Sequence, residues 1–338
     1  ANPITFPIVF KFLDFFSKNN QSLEEEIIRI SPKLVIYPSN AYEAIGIDVV
    51  KISKEQKIKS IFIIDNWDNI SSKSILWAKP DHLLLWGEQT KQQAIKIQNF
   101  NPKKISCVGA SRFDQYYKKR NEKTTSHFNF NYILFTGFSL PFNEAKLVIL
   151  IDDILSRNKH IFGDTKLVYR PHPNRQGRDT VKGLQLKNTI VDPQLEDWYY
   201  NSMNKNIKTA SPALDYYPSL LQNAEMVIAS LTSMIIESLI FKKKTLIVAY
   251  KEARNPSSPY RVLQDYHHFD DLFHTEGVDI CLAIENFEND LINSWKQRNK
   301  MDLNKLEKDC NFLCYNDDKD YSKRIFEYCQ KEIIEINT

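Results

Sequence analysis

Short runs of apolar, β-favouring residues alternate with helix-length segments through almost the whole of this 338-residue chain. In its first third the runs are Lys33-Leu-Val-Ile-Tyr-Pro, Ile58 to Asp65, His82-Leu-Leu-Leu-Trp and Lys104-Ile-Ser-Cys-Val-Gly. Such runs lack the polar and apolar alternation of a half-solvated strand, so they suit strands covered on both faces. Helices are expected over 6–17, 41–55 and 88–98. Strand, helix and strand in repetition imply a parallel sheet, because parallel neighbours need a crossover connection.

The alternation restarts after a polar, lysine-rich stretch from Lys118 to Ser126. Strands are expected at Tyr132-Ile-Leu-Phe-Thr, 166–169, 189–192, 226–229 and 245–250. Helices are expected over 144–157, 213–223, 233–241, 284–299, 302–312 and 320–335. The length suits two domains, each with its own core. The expectation is an α/β chain of two Rossmann-like domains facing across a cleft, 1–120 and 127–338, with 118–126 as the linker. The first half shows about four strands where doubly wound folds usually have five or six. With a start at Ala1, this leads to the expectation of an N-terminal domain truncated by one βα unit.

A formal net charge of +3, with Lys and Arg interspersed among Asp and Glu, provides no basic arm or stripe for nucleic acid. No apolar run approaches the ~20 residues of a membrane span, and the start has no signal-peptide pattern. A cytoplasmic protein is expected, compatible with peripheral association at the inner membrane face. The five cysteines, 107, 281, 310, 314 and 329, lack paired zinc spacing and read as reduced thiols. No metal is expected.

Two motifs carry chemistry. Lys166-Leu-Val-Tyr-Arg-Pro-His-Pro-Asn is a strand that stops at a proline-locked turn bearing Arg170 and His172. Met226 to Ala229 is a strand followed by Ser230, Thr232 and Ser233 and then a helix. Ligands of open α/β sheets settle outside the carboxyl ends of strands, where helix N-termini present unpaired N–H groups. Cationic and hydroxyl side chains at two such ends suit a phosphate. Helix capping is an equal use for Ser230 and Thr232, and the two uses are compatible. Gly137 turns the chain after a third strand. Glu237, four residues past Ser233 on one helix face, suits ribose hydroxyls or an offset to the helix dipole. In the first half, Asp68 and then Asp65 are candidates for a base, and Lys73 and Arg112 for contacts to an anionic acceptor or the donor phosphate. The polar-aromatic loop 251–268, with Tyr260 and Arg261, is a further candidate.

Arg170-Pro-His-Pro and Ser230-Leu-Thr-Ser-Met-Ile-Ile-Glu resemble the nucleotide-binding elements of GT-B glycosyltransferases. The resemblance is to the CDP-glycerol glycerophosphotransferases and the bacterial sialyl and Kdo transferases with an HP motif. Asp65-Asn-Trp-Asp-Asn-Ile-Ser-Ser-Lys and Val108-Gly-Ala-Ser-Arg-Phe-Asp extend it over most of the chain. The pair Thr232-Ser233 stands where two serines adjoin in those families, and their acidic motif has no evident counterpart. The resemblance implies that His172, Ser230, Thr232 and Ser233 hold the donor phosphate.

The expected activity is transfer of a glycosyl or polyol-phosphate group from a nucleotide-activated donor, CMP- or CDP-linked, to a glycan or lipid-linked acceptor in surface polysaccharide synthesis. Arg170 and His172 would neutralise the leaving phosphate, so no cofactor is expected and the donor is a substrate. Two alternatives stay open. One is a UDP-sugar 2-epimerase, in which Leu231-Thr232-Ser233 would replace the small Gly-Gly turn of those enzymes. The other is a non-catalytic nucleotide-sugar or glycan-binding protein.

Overall fold

A computed structural model of the chain describes residues 17–39, 43–139, 142–172, 181–201, 213, 215–251 and 258–337, together with Val9 and Phe12. The chain divides into two compact units, 1–108 with 322–338, and 109–321.

In the first unit α1 (Gln21–Ile30) leads into β1 (Leu34–Ser39), α2 (Ala44–Glu55), β2 (Lys59–Ile64), β3 (His82–Leu85), α3 (Glu88–Lys96) and β4 (Ile105–Cys107). Asn20 starts α1 by accepting from the Leu23 N–H at 3.1 Å, and Ser31 ends it in the left-handed conformation, φ 48°. The four strands pair in parallel in the order β1-β2-β3-β4. Ile61, Leu83, Leu84 and Leu85 are fully buried, as their unbroken apolar runs require.

The second unit begins with α4 (Asp114–Lys119), followed by β5 (Tyr132–Thr136), α5 (Glu144–Arg157), α6 (Lys159–Phe162), β6 (Lys166–Arg170) and β7 (Thr189–Val191). Then come α7 (Pro193–Asn201), α8 (Tyr216–Asn223), β8 (Met226–Ala229), α9 (Met234–Ile240), β9 (Thr245–Val248), α10 (Pro259–Asp265) and β10 (Val278–Cys281). Helices α11 (Phe287–Gln297) and α12 (Leu303–Leu313) end this unit, and α13 (Tyr321–Asn337) returns to the first. Its sheet is wholly parallel in the order β10-β9-β8-β5-β6-β7. Counted from β5 as strand one, that is the doubly wound order 3-2-1-4-5-6. The order reverses between β5 and β8, so the connections that leave their carboxyl ends run to opposite faces of the sheet and leave a crevice between them. The first sheet has no such reversal among its described strands.

The division differs from the expected 1–120 and 127–338. Residues 109–120 belong to the second unit and the last helix to the first. The stretch Lys118 to Ser126 is tied down within the second unit rather than spanning two domains. Lys118 pairs with Asp320 at 2.7 Å, Arg120 with Glu307 at 2.8 Å, and Gln222 donates to the Glu122 carbonyl at 2.6 Å. Polar composition marked it as a linker, but Lys118 and Arg120 have ion-pair partners. The expected loop 251–268 contains α10, where Arg261 pairs with Asp265 at 3.1 Å and Tyr260 accepts from Gln264 at 3.2 Å. Residues 252–257 of that loop, and most of the expected helix 6–17, lie outside the described residues.

Candidate functional site

Gly137 follows β5, Pro171 and His172 follow β6, and Thr232 and Ser233 lie between β8 and α9. All five line one cavity of about 290 Å³ in the second unit, with Arg112, Arg170, Tyr217 and Glu237. This is the end of the sheet, at the strand-order reversal, where an α/β fold collects ligands. Close packing sets its floor. The Gly137 N–H donates to the Arg170 carbonyl at 2.8 Å, and a Cβ on Gly137 would lie 2.6 Å from the His172 nitrogen. Only glycine fits that approach. Behind it, the buried Glu144 carboxylate accepts from the Phe138 N–H at 2.8 Å and the Tyr169 hydroxyl at 2.5 Å, fixing the turn.

Arg170 is only 7% exposed and forms an ion pair with Asp192, which is fully buried. Asp192 also accepts from the Tyr216 hydroxyl at 2.9 Å and the Gln194 N–H at 3.1 Å. The Arg170 guanidinium lies 4.8 Å from the Tyr217 ring centre. Breaking one side of a buried pair costs about 3–5 kcal/mol. Arg170 is therefore committed first to the fold.

Glu237 is 6% exposed. Burial pushes its carboxyl up to about 7, against the opposing pull of Arg112, Arg170 and the Tyr217 hydroxyl. That hydroxyl is near enough to favour the carboxylate, yet its geometry completes no hydrogen bond with any described group. It is thus a buried polar atom, in a residue that lines the cavity, without a described partner. Thr232 accepts from the Met234 N–H at 3.2 Å, so it caps the start of α9 while lining the cavity.

Two expectations change. Ser230 is fully buried and its hydroxyl donates to the Val248 carbonyl at 2.9 Å, bracing β8 against β9 instead of facing the cavity. Arg112, expected in the first domain with an anionic acceptor or the donor phosphate as its contact, lies on the 3₁₀ turn Ser111–Phe113 of the second unit and lines this cavity. The signal for Asp192 and Tyr217 was present but unread. Asp192 ends the run Thr189-Ile-Val-Asp beside the strand that ends in Arg170, and adjacent strand ends place opposite charges together.

Asp65, Asp68 and Lys73 belong to the first unit. Asp68 precedes the π-helical turn Asn69–Lys73 and pairs with Lys73 at 2.7 Å. Asp65 is exposed and accepts from Asn66 at 3.3 Å and Asn69 at 3.1 Å. A larger cavity of about 450 Å³ in that unit is lined by Lys73, Glu43 and a row of serines, with neither aspartate on its wall. It lacks the convergence of strand ends found in the second unit. Among the described residues, no helix is long and apolar enough to cross a membrane.

No protein-family model matches the chain, and no curated protein matches it in sequence. Solved structures do resemble it. The UDP-GlcNAc 2-epimerase of Neisseria meningitidis bound to UDP-GlcNAc aligns with a TM-score of 0.56 at 14% identity, over 92% of this chain and 79% of its own. MnaA of S. aureus with UDP aligns at 0.52 and 12%, over 94% and 79%. The UDP-GlcNAc 2-epimerase of Methanocaldococcus jannaschii in complex with UDP-GlcNAc and UDP aligns at 0.50 and 14%, over 91% and 79%. At such identities the likeness bears on architecture, and it agrees with the strand order: the fold is α/β, two Rossmann-like units of the GT-B type.

Proposed function

We propose that the chain is a nucleotide-sugar enzyme whose second unit holds the nucleotide, and specifically a transferase of a glycosyl or polyol-phosphate group from a CMP- or CDP-linked donor. One observation carries the reading. Three strand ends at the order reversal bring His172, Thr232, Ser233, Glu237 and two arginines into one cavity. His172 and the hydroxyls contact the donor phosphate, where negative charge grows as the bond to the leaving group breaks. Glu237 and Tyr217, with paired hydrogen-bonding capacity at the buried end, suit ribose hydroxyls. Asp68 stands as the group that takes the acceptor proton, with Lys73 holding its carboxylate at 2.7 Å. The acceptor is a glycan or a lipid-linked molecule, met at the inner face of a membrane.

A second reading, a 2-epimerase of a UDP-sugar, is favoured by the solved epimerases of this fold that hold UDP-GlcNAc or UDP. It would use the same cavity without an acceptor. Thermal-shift screening of CMP, CDP, UMP, UDP and GDP tests both, because a ligand of the native state raises stability by mass action. His172→Ala should weaken the winning nucleotide by about 1.5–3 kcal/mol, the range for hydrogen bonds to charged groups, in a folded protein. Unchanged affinity would return the motif to turn structure. Incubation with a UDP-sugar alone then separates the reactions: product without a second substrate marks the epimerase.

A further inference from the structure

We propose that Arg112, rather than Arg170, is the cation that receives the donor's phosphate; this rests on the nucleotide reading above. Both guanidinium groups line the same cavity, but their electrostatic situations differ. Arg170 is buried and already neutralised by Asp192, whose other bonds to Tyr216 and the Gln194 N–H leave the pair little freedom. A phosphate arriving there meets a pair with no net charge. Moving the guanidinium to the ligand would strand a buried carboxylate.

Arg112 is exposed, and it forms neither hydrogen bond nor salt bridge with a described residue. Its guanidinium lies 5.8 Å from the Phe113 ring centre. Phe113 is fully buried, and its N–H donates to the Ala110 carbonyl at 3.1 Å, so a free charge is carried on a fixed base. Arg112 and Glu237 line the same cavity. An unpaired arginine fork on a cavity wall is complementary to phosphate oxygens. Arg170 and Asp192 then act as a positioning pair for the Pro171-His172 turn.

Calorimetric titration of the full chain with UDP against uridine, and CMP against cytidine, isolates the phosphate's share of affinity. Arg112→Ala should weaken the nucleotide about 10- to 100-fold while leaving the nucleoside unchanged, and Arg112→Lys should recover part of the loss. The exposed position should keep the melting temperature at the parent's value. Equal nucleotide-to-nucleoside ratios in parent and Arg112→Ala would overturn the assignment while leaving the nucleotide site in place. Absence of nucleotide binding by the parent would instead remove the nucleotide reading, and this assignment with it.

Discussion

A buried carboxyl is the residue whose chemistry most depends on its surroundings, and Glu237 has only a tyrosine and two arginines to offset its loss of water. In the unfolded chain it titrates near its ordinary 4.5; in the folded chain, near 7. Between these values the folded state binds more protons. Stability therefore falls as pH rises through this window, with its full value below about 4.5 and the loss complete above about 7. At about 1.36 kcal/mol per unit, the penalty is ~3 kcal/mol. Glu237→Gln removes the titration. Its melting temperature, relative to the parent, should rise from about pH 4.5 to about pH 7 and level off on either side. A difference that does not vary with pH would mean that the carboxyl titrates normally and that the Tyr217 hydroxyl meets its charge.

At the scale of elements, strands buried on both faces were legible because their residues say so: Tyr132 to Phe135 and Met226 to Ala229 are fully buried. Long helices between them followed from the crossovers. Helix α1 was not read, since its Gln-Ser-Leu-Glu-Glu-Glu start is held by the Asn20 cap and buries only Ile27. The four-residue strand β10 depends on pairing with β9, a tertiary fact. At the site, the strand-end residues Arg170 and His172 were legible by position. The destination of each charge was not, because Asp192, 22 residues on, decides that of Arg170. The last helix shows the same dependence on distant partners. The Tyr328 hydroxyl donates to His82 Nδ1 at 2.7 Å, and His82 Nε2 faces Glu332 at 2.9 Å, with Lys59 3.3 Å from the same carboxylate. Burial lowers the His82 pKa against the pull of Glu332, which keeps the neutral ring that Tyr328 requires as acceptor. Tyr328→Phe retains the edge-on ring contact and leaves Nδ1 without its donor. It should cost about 1–3 kcal/mol, read as a lower urea midpoint at unchanged slope. No change would assign the docking of α13 to its apolar face alone.

For the whole molecule, two separate cores decide how a ligand's effect spreads. One is built from Ile133, Phe135, Leu167, Ile228 and their neighbours; the other from Val50, Phe62, Leu83 and Leu85. Chains with two cores often unfold in more than one step. Every residue assigned to the nucleotide lies in the second unit. At a nucleotide concentration of about 100 Kd, binding should stabilise that unit by ~2.7 kcal/mol. Amide hydrogen exchange can locate the gain. Added protection is expected over 132–139, 166–172 and 226–241, with exchange over 34–39, 59–64 and 82–85 unchanged. The first set contains the strands whose ends form the cavity, and the second contains the sheet that carries none of the residues assigned to the nucleotide. Protection gained equally in both sets would show that the two cores open as one cooperative block, so that ligand energy spent in one sheet is felt in the other.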